Sequence, residues 1–215
     1  MEGFINKKDS LLILIDLQND FMPGGALAVP FGDEIIPGIR ELVFKQRFKY
    51  IIGTQDWHPN DHVSFASAHK GKKPFDVIDL YGEKQVLWPD HCVMGTKGAE
   101  FHRDVPQEAM VLILRKGWEK EVDSYSAFKT GIAPEGKRRN TGLEGYLKLL
   151  GIKNIYVCGL ARDYCVKWTA EDAKELGFNT FVIWDLTRPV DKNSDKSIRD
   201  ELENKGIAII SSGEI

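Results

Sequence analysis

Four polar residues stand where apolar runs of the sequence stop. Asp16 follows LLILI, Asp56 follows YIIGTQ, Lys116 follows VLILR, and Cys165 lies just beyond IYVCGLARDY. Singly, each has an ordinary explanation. An aspartate at a strand end is often a turn or capping residue, a lysine there is usually a surface charge, and a cysteine is commonly an inert core side chain. A carboxylate, a cation and a thiol on neighbouring strand ends of one sheet would converge, however, and that set is suited to nucleophilic catalysis. GLARDYC precedes an amphipathic pattern, which places Cys165 near a helix start. There the macrodipole and free backbone N–H groups favour a thiolate and can hold an oxyanion. The other two thiols read differently. Cys158 falls inside the run IYVCG and is expected to pack in the core, while Cys92, in PDHC, neighbours a histidine with no helix start beside it and has a secondary role at most.

A second constellation suits a metal. Asp56 and His58 are separated by one residue, so on an extended backbone both emerge from the same face and can share one cation. His91, in WPDHC, completes a two-histidine, one-carboxylate set that leaves coordination positions open. His62, in DHVS, is a further candidate, whereas His69 and His102 stand apart in lysine-rich or polar surroundings. A lone DxH is a weak signal. The occurrence of His58, His62 and His91 in one segment, with Asp56 at a strand end, raises it.

These side chains need a scaffold. LLILI (11–15), YIIGT (50–54), VLILR (111–115), IYVCG (155–159), FVIW (181–184) and IAII (207–210) read as strands. Their near-continuous hydrophobicity is that of a parallel sheet covered on both faces. Between them lie helical patterns: one from an Asp33 cap through Ile35, Ile36, Ile39, Leu42 and Val43, and one from a Thr141 cap through Leu143, Leu147 and Leu150 to Gly151. A third runs from Tyr164 to Leu176 and closes at Gly177, and a fourth starts at Ser194 and carries Ile198 and Leu202. The alternation predicts an α/β fold: an open, doubly wound, mostly parallel six-stranded sheet with helices on both faces, a Rossmann-like three-layer sandwich. Ligands of such sheets bind beyond the carboxyl ends of the strands, where strand order switches. Residues 56–108 break the rhythm, with Pro, Gly, His and aromatics and only a short strand expected at Val77–Leu80. A connection of that length is usually functional.

Composition sets the class. The 215 residues carry 29 Lys+Arg against 32 Asp+Glu, a net charge of −3, and are 42% hydrophobic. This is a soluble chain with one core, read as a single domain over 1–215. No basic excess points to nucleic acid, no apolar run reaches the roughly 18 residues that a membrane span needs, and MEGFINKKDS has no signal-peptide pattern. Three cysteines at irregular spacing predict reduced thiols and a cytoplasmic location. GKRRN (136–140) reads as a solvated loop.

Taken together, several segments resemble a known family. DLQNDFMPGGALAV (16–29), TQDWHPNDHVSF (54–65), WPDHCVMGTKGAEF (88–101), RKG (115–117), DSYSAF (123–128) and GLARDYCV (159–166) resemble, in order, the motifs of nicotinamidases within the isochorismatase-like cysteine hydrolases. The similarity extends from about Ser10 to about Ile210. It implies a triad of Asp16, Lys116 and Cys165, and one divalent ion (zinc, iron or manganese) on Asp56, His58 and His91. His62 matches a position that ligates metal in some members and not in others. It also implies a cis peptide between Leu160 and Ala161, an oxyanion hole from the backbone N–H groups of Ala161 and Cys165, and a pyridine sandwich of Phe21, Trp88 and Tyr125 with Leu27 beside it.

The implied reaction is hydrolysis of nicotinamide to nicotinic acid and ammonia through a thioester, with a small-molecule substrate, no nucleic-acid or membrane partner, and scope for a homo-oligomer. Three other readings compete. A relative using the same triad on another small amide would fail on nicotinamide and succeed elsewhere. A hydrolase driven by metal alone would lose turnover to a chelator but keep it without Cys165. A non-catalytic nucleotide-binding module would bind NAD tightly without turnover, but the turn after LLILI is DLQND rather than GxGxxG.

Overall fold

The computed structural model of the protein describes residues 8–45 and 48–215. Ten strands run in chain order: β1 (Ser10–Ile15), β2 (Tyr50–Asp56), β3 (Val77–Leu80), β4 (Glu83–Val86), β5 (Leu112–Lys116), β6 (Lys129–Ile132), β7 (Arg138–Asn140), β8 (Asn154–Leu160), β9 (Asn179–Arg188) and β10 (Ala208–Ile210). Six of them form the central sheet in the order β10-β9-β8-β1-β2-β5, every pairing parallel. All six expected strands are present, and the order reverses between β1 and β8. β3 pairs antiparallel with β4 as a hairpin, and β6 with β7.

Strand β1 shows why the runs are continuous. All six of its residues are fully buried, with Leu12 and Leu14 in the apolar layer under α1 (Ile36–Phe44) and Leu11, Ile13 and Ile15 in the layer on the opposite face. That second layer holds α2 (Leu143–Leu149), α3 (Lys167–Glu175) and α4 (Asp195–Asn204) through Leu147, Ala170, Ile198 and Leu202. Each such aliphatic side chain contributes about 1.5–3 kcal/mol on burial, so the sheet interior is a rigid platform for whatever its ends carry.

Three helix starts differ from the sequence expectation. Asp33 lies inside a 3₁₀ turn (Gly32–Ile35), and α1 begins only at Ile36, with Pro37 in its first turn, where a missing N–H costs nothing. Thr141 lies one residue before the Gly142 cap of α2. Its hydroxyl donates to Ala127 O (2.7 Å) and accepts from Leu143 N (3.3 Å), tying the helix start to the preceding loop. Ser194 closes a 3₁₀ turn capped by Asp191 rather than capping α4 with its side chain. The expected strand at 77–80 is present, but the segment 56–108 also holds β4 and short 3₁₀ turns at Ala66–Ala68 and Lys97–Ala99. With Val86 as its single apolar residue, EKQV carries no strand pattern, which hid β4 among loop residues.

Candidate active site

The carboxyl ends of β1, β2, β5 and the turn after β8 meet at the reversal in strand order. Asp16 follows β1 with φ +46°, a left-handed conformation uncommon outside glycine, and its carboxylate is fully buried. In the β2–β5 register Asp56 stands opposite Lys116. The Lys116 ammonium is 98% buried, lies 2.8 Å from Asp16 Oδ2, donates to Asp56 Oδ1, and reaches Ser124 O and Cys165 Sγ at 3.2 Å each. Thr54 of β2 donates its hydroxyl to Asp16 Oδ1 at 2.7 Å. Thus the four strand-end residues singled out from the sequence do converge, and Lys116 is their hub. Burial alone would discharge this lysine. The two carboxylates reverse that and hold its pKa well above the ordinary value.

Cys165 departs from one expectation. It sits in a π-helical turn (Arg162–Val166) ahead of α3, not in the first turn of an α-helix. Burial pushes its thiol well up; Lys116 opposes this, but Asp16 and Asp56 add to it. Burial and the two carboxylates thus favour the thiol over the thiolate. Asp16 is placed to accept its proton: ligating atoms of Asp16, Asp56 and Cys165 all lie within 4.8 Å of one another. The Leu160–Ala161 peptide that enters the turn is cis. Gly159, at φ +116°, carries β8 past β1 so closely that a Cβ would meet Ile15 O at 2.2 Å. Cys158 is fully buried inside β8. Cys92 is fully buried beside the metal-type cluster, its N–H donating to Asp20 Oδ2 (2.7 Å) and its carbonyl accepting from His58 N (3.0 Å).

That cluster consists of Asp56, His58 and His91, whose ligating atoms also lie within 4.8 Å of one another. His58 Nδ1 is 2.8 Å from Gly117 O and His91 Nδ1 is 2.8 Å from Pro89 O. A carbonyl only accepts, so each Nδ1 carries the proton and each Nε2 presents its lone pair. Both Nε2 atoms stand 3.7 Å from Asp56 Oδ2, the carboxylate oxygen not taken by Lys116. Two imidazole lone pairs and one carboxylate oxygen aimed at a common point are the donor set of an open divalent-metal site. Gly117 makes this possible: at φ +65° a Cβ would lie 2.4 Å from His58 Cε1. His62 is not in that set but in a second one, its ligating atom within 4.8 Å of those of His58 and Asp123. Its Nε2 bonds Val122 O (3.3 Å) and its Nδ1 bonds Ser64 (2.8 Å), so both nitrogens are engaged and the ring stacks on His58 at 4.3 Å. Burial lowers its pKa to about 4, and it is a neutral packing partner of the cluster.

A narrow cleft opens onto both groups. Phe21, Leu27, Trp88, Tyr125, Ala161 and Cys165 line it, as the resemblance implied. Trp88 Nε1 donates to the Tyr125 hydroxyl at 3.1 Å. Asp123, Tyr164 and Val190 also line the cleft, and the sequence reading missed them. Tyr164, adjacent to Cys165, contacts Trp88 edge-on at 4.7 Å, so its position beside the nucleophile candidate was the available signal. Asp123 opens the DSYSAF motif. Nothing in the chain around Val190 marked it, because it reaches the cleft through Asp163, whose carboxylate accepts from the backbone of Val190 and Asp191 at 2.9 Å each.

Comparison with known proteins agrees with this geometry. The Isochorismatase domain model matches residues 10–214. The nicotinamidase of Acinetobacter baylyi is 47% identical over 205 residues, 95% of this chain and 93% of that protein. Among solved structures, the Acinetobacter baumanii nicotinamidase/pyrazinamidase superimposes with a TM-score of 0.91 at 44% identity over 98% of this chain and 99% of its own. The pyrazinamidase of Pyrococcus horikoshii in complex with zinc gives 0.76 at 36% identity over 94% and 99%. The chain belongs to the isochorismatase family. Relatives that cover most of it, including one from Escherichia coli at 45% identity over 181 residues (83% of each chain), carry the name nicotinamidase.

Proposed function

We propose that this protein is a nicotinamidase, an amidohydrolase that converts nicotinamide to nicotinic acid and ammonia with Cys165 as nucleophile. One observation carries the reading: Lys116 Nζ lies 2.8 Å from Asp16 and 3.2 Å from Cys165, in the wall of an aromatic cleft that also holds the Asp56, His58 and His91 cluster. The similarity to nicotinamidases over nearly the whole chain supports the substrate.

The pyridine ring enters between Phe21, Trp88 and Tyr125, with its carboxamide towards Cys165. Asp16 takes the Sγ proton as the sulfur attacks the amide carbon. Lys116, still protonated, stabilises the sulfur anion as it forms and holds Asp16 in place. The backbone N–H groups of Ala161 and Cys165 receive the oxyanion. Asp16 then delivers its proton to the departing nitrogen, releasing ammonia and leaving a thioester. It accepts a proton again as water attacks the acyl carbon, and Cys165 leaves as the thiol once that proton returns to sulfur. Asp56, His58 and His91 would hold a divalent ion, zinc being the ion bound by one relative. Such an ion, when bound, supplies a Lewis acid to the ring nitrogen and so fixes the ring's orientation.

An ammonia-release assay on nicotinamide tests the proposal. The native protein should turn over, and Cys165→Ala should lose activity by about 10⁴-fold or more while remaining folded by circular dichroism. Full activity in Cys165→Ala would refute the nucleophile assignment; turnover of another small amide but not nicotinamide would refute the substrate.

A further inference from the structure

The β3–β4 hairpin lies on the rim of the cleft and is otherwise a solvent-facing ribbon. Glu83 and Lys84 are exposed, as are Val77 and Asp79 on the partner strand, and only Gln85 is buried, at 8% exposure. Its amide nitrogen is directed inward. It lies 2.8 Å from Asp123 Oδ2 and 3.1 Å from the Tyr125 hydroxyl, with Val86 O at 2.8 Å. The Tyr125 hydroxyl in turn accepts from Trp88 Nε1 at 3.1 Å. Asp123 and Tyr125 form a thin wall: on one side they line the cleft, and on the other they line an outer groove that Gln85 also borders.

We propose that Gln85 is a positioning residue for substrate recognition, whose amide fixes Tyr125, and through it Trp88, as the two walls that grip the aromatic ring. This rests on the nicotinamidase reading above. A buried polar side chain on an exposed ribbon is retained only against a compensating set of hydrogen bonds, and all of those bonds run to the cleft wall or the hairpin's own backbone. Without the amide donor, Asp123 and the Tyr125 hydroxyl each lose one partner and are left with each other, the hydroxyl also keeping Trp88 Nε1. The ring walls are then held less firmly. Lys116 and Asp16 touch none of these atoms directly; the nearest link is Ser124, whose N–H donates to Asp123 Oδ1 (2.8 Å) and whose carbonyl accepts from Lys116 (3.2 Å). The effect should therefore fall on binding rather than on chemistry.

The test is steady-state kinetics on nicotinamide together with nicotinate binding by titration calorimetry, for native protein, Gln85→Met, Tyr125→Phe and the double variant. Gln85→Met should raise KM roughly tenfold and weaken nicotinate by a similar factor, with kcat within about threefold of native. The double variant should be worse than either single one but by less than the sum of the two, since the Gln85–Tyr125 hydrogen bond is common to both. An unchanged KM and nicotinate affinity overturns the assignment, as does a fall in kcat at constant KM or strict additivity of the two changes. Should Gln85→Met fail to fold, Gln85→Asn, which keeps a buried amide one methylene short of both acceptors, carries the same expectations and the same refutations. Absence of turnover by the native protein would remove the nicotinamidase reading and this one with it, whereas native turnover with an unaffected Gln85→Met removes this one alone.

Discussion

Asp16 and Asp56 end adjacent strands, are both buried, and both bind the ammonium of Lys116, yet they are driven to opposite protonation behaviour. For Asp16, burial outweighs the attraction of Lys116, and the neighbouring Asp56 carboxylate adds to it, so its carboxyl pKa is raised. For Asp56, burial acts the same way, but the Lys116 ammonium against its Oδ1 opposes it, and the carboxyl is held well below its usual range. Two like groups pushed apart in this way divide labour. Asp16 can take up and release a proton near the thiol, and Asp56 stays an anion fit to hold a cation. The company of the two also differs: Asp56 is joined by two histidines from the long 56–108 segment, and Asp16 by Cys165 from the opposite side.

Four changes test that division, the strongest first. Asp16→Asn removes the proton acceptor and should cut kcat/KM by about 10³-fold, while metal content measured by elemental analysis stays at the native level. Loss of metal in Asp16→Asn would erase the distinction between the two corners. His91→Ala removes one of two imidazole ligands, and purified protein should hold clearly less divalent metal. KM for nicotinamide should rise by more than kcat falls, because the ring loses its anchor but the thiol keeps Asp16 and Lys116. Gly117→Ala drives a methyl into the His58 ring and strains φ; a metal affinity weakened roughly 10- to 100-fold is expected, with an unchanged alkylation rate at Cys165 as the sign that the thiol corner is untouched. The smallest effect is in the pH profile. Because the folded Asp16 carboxyl is raised, the acidic limb of kcat/KM should lie above the ordinary carboxylate range. The Thr54 hydroxyl favours the ionised form of Asp16, so Thr54→Val should move that limb further up in pH. A limb that does not move would separate Asp16 from the proton transfer.

Much of this was legible in the chain. Continuous apolar runs such as LLILI and IYVCG marked buried parallel strands, and the residues that end them are those that meet in space, because a parallel sheet brings all its carboxyl ends to one edge. The DxH spacing of Asp56 and His58 survived folding for a simple reason: at the end of a strand, alternate residues share a face. Local context misled where the answer was long-range. GLARDYC promised a helix start with a lowered thiol pKa, but it forms a π turn, and burial among carboxylates raises the thiol. His62 had a ligand's company in sequence, yet the Val122 carbonyl and Ser64 engage its nitrogens. Gln85 and Val190 gave no sign, since each reaches the cleft wall through partners far away in the chain.

The amino-acid order by itself determined the strands, the polar residues at their ends and the two-histidine, one-carboxylate set, because these depend on hydrophobic periodicity and on spacing of one or two residues. Only the tertiary structure decided the protonation roles. Whether a carboxylate releases or retains its proton depends on the charges within a few ångströms and on the water excluded around it. Here those charges are Lys116, Asp16 and Asp56, gathered from the ends of β5, β1 and β2.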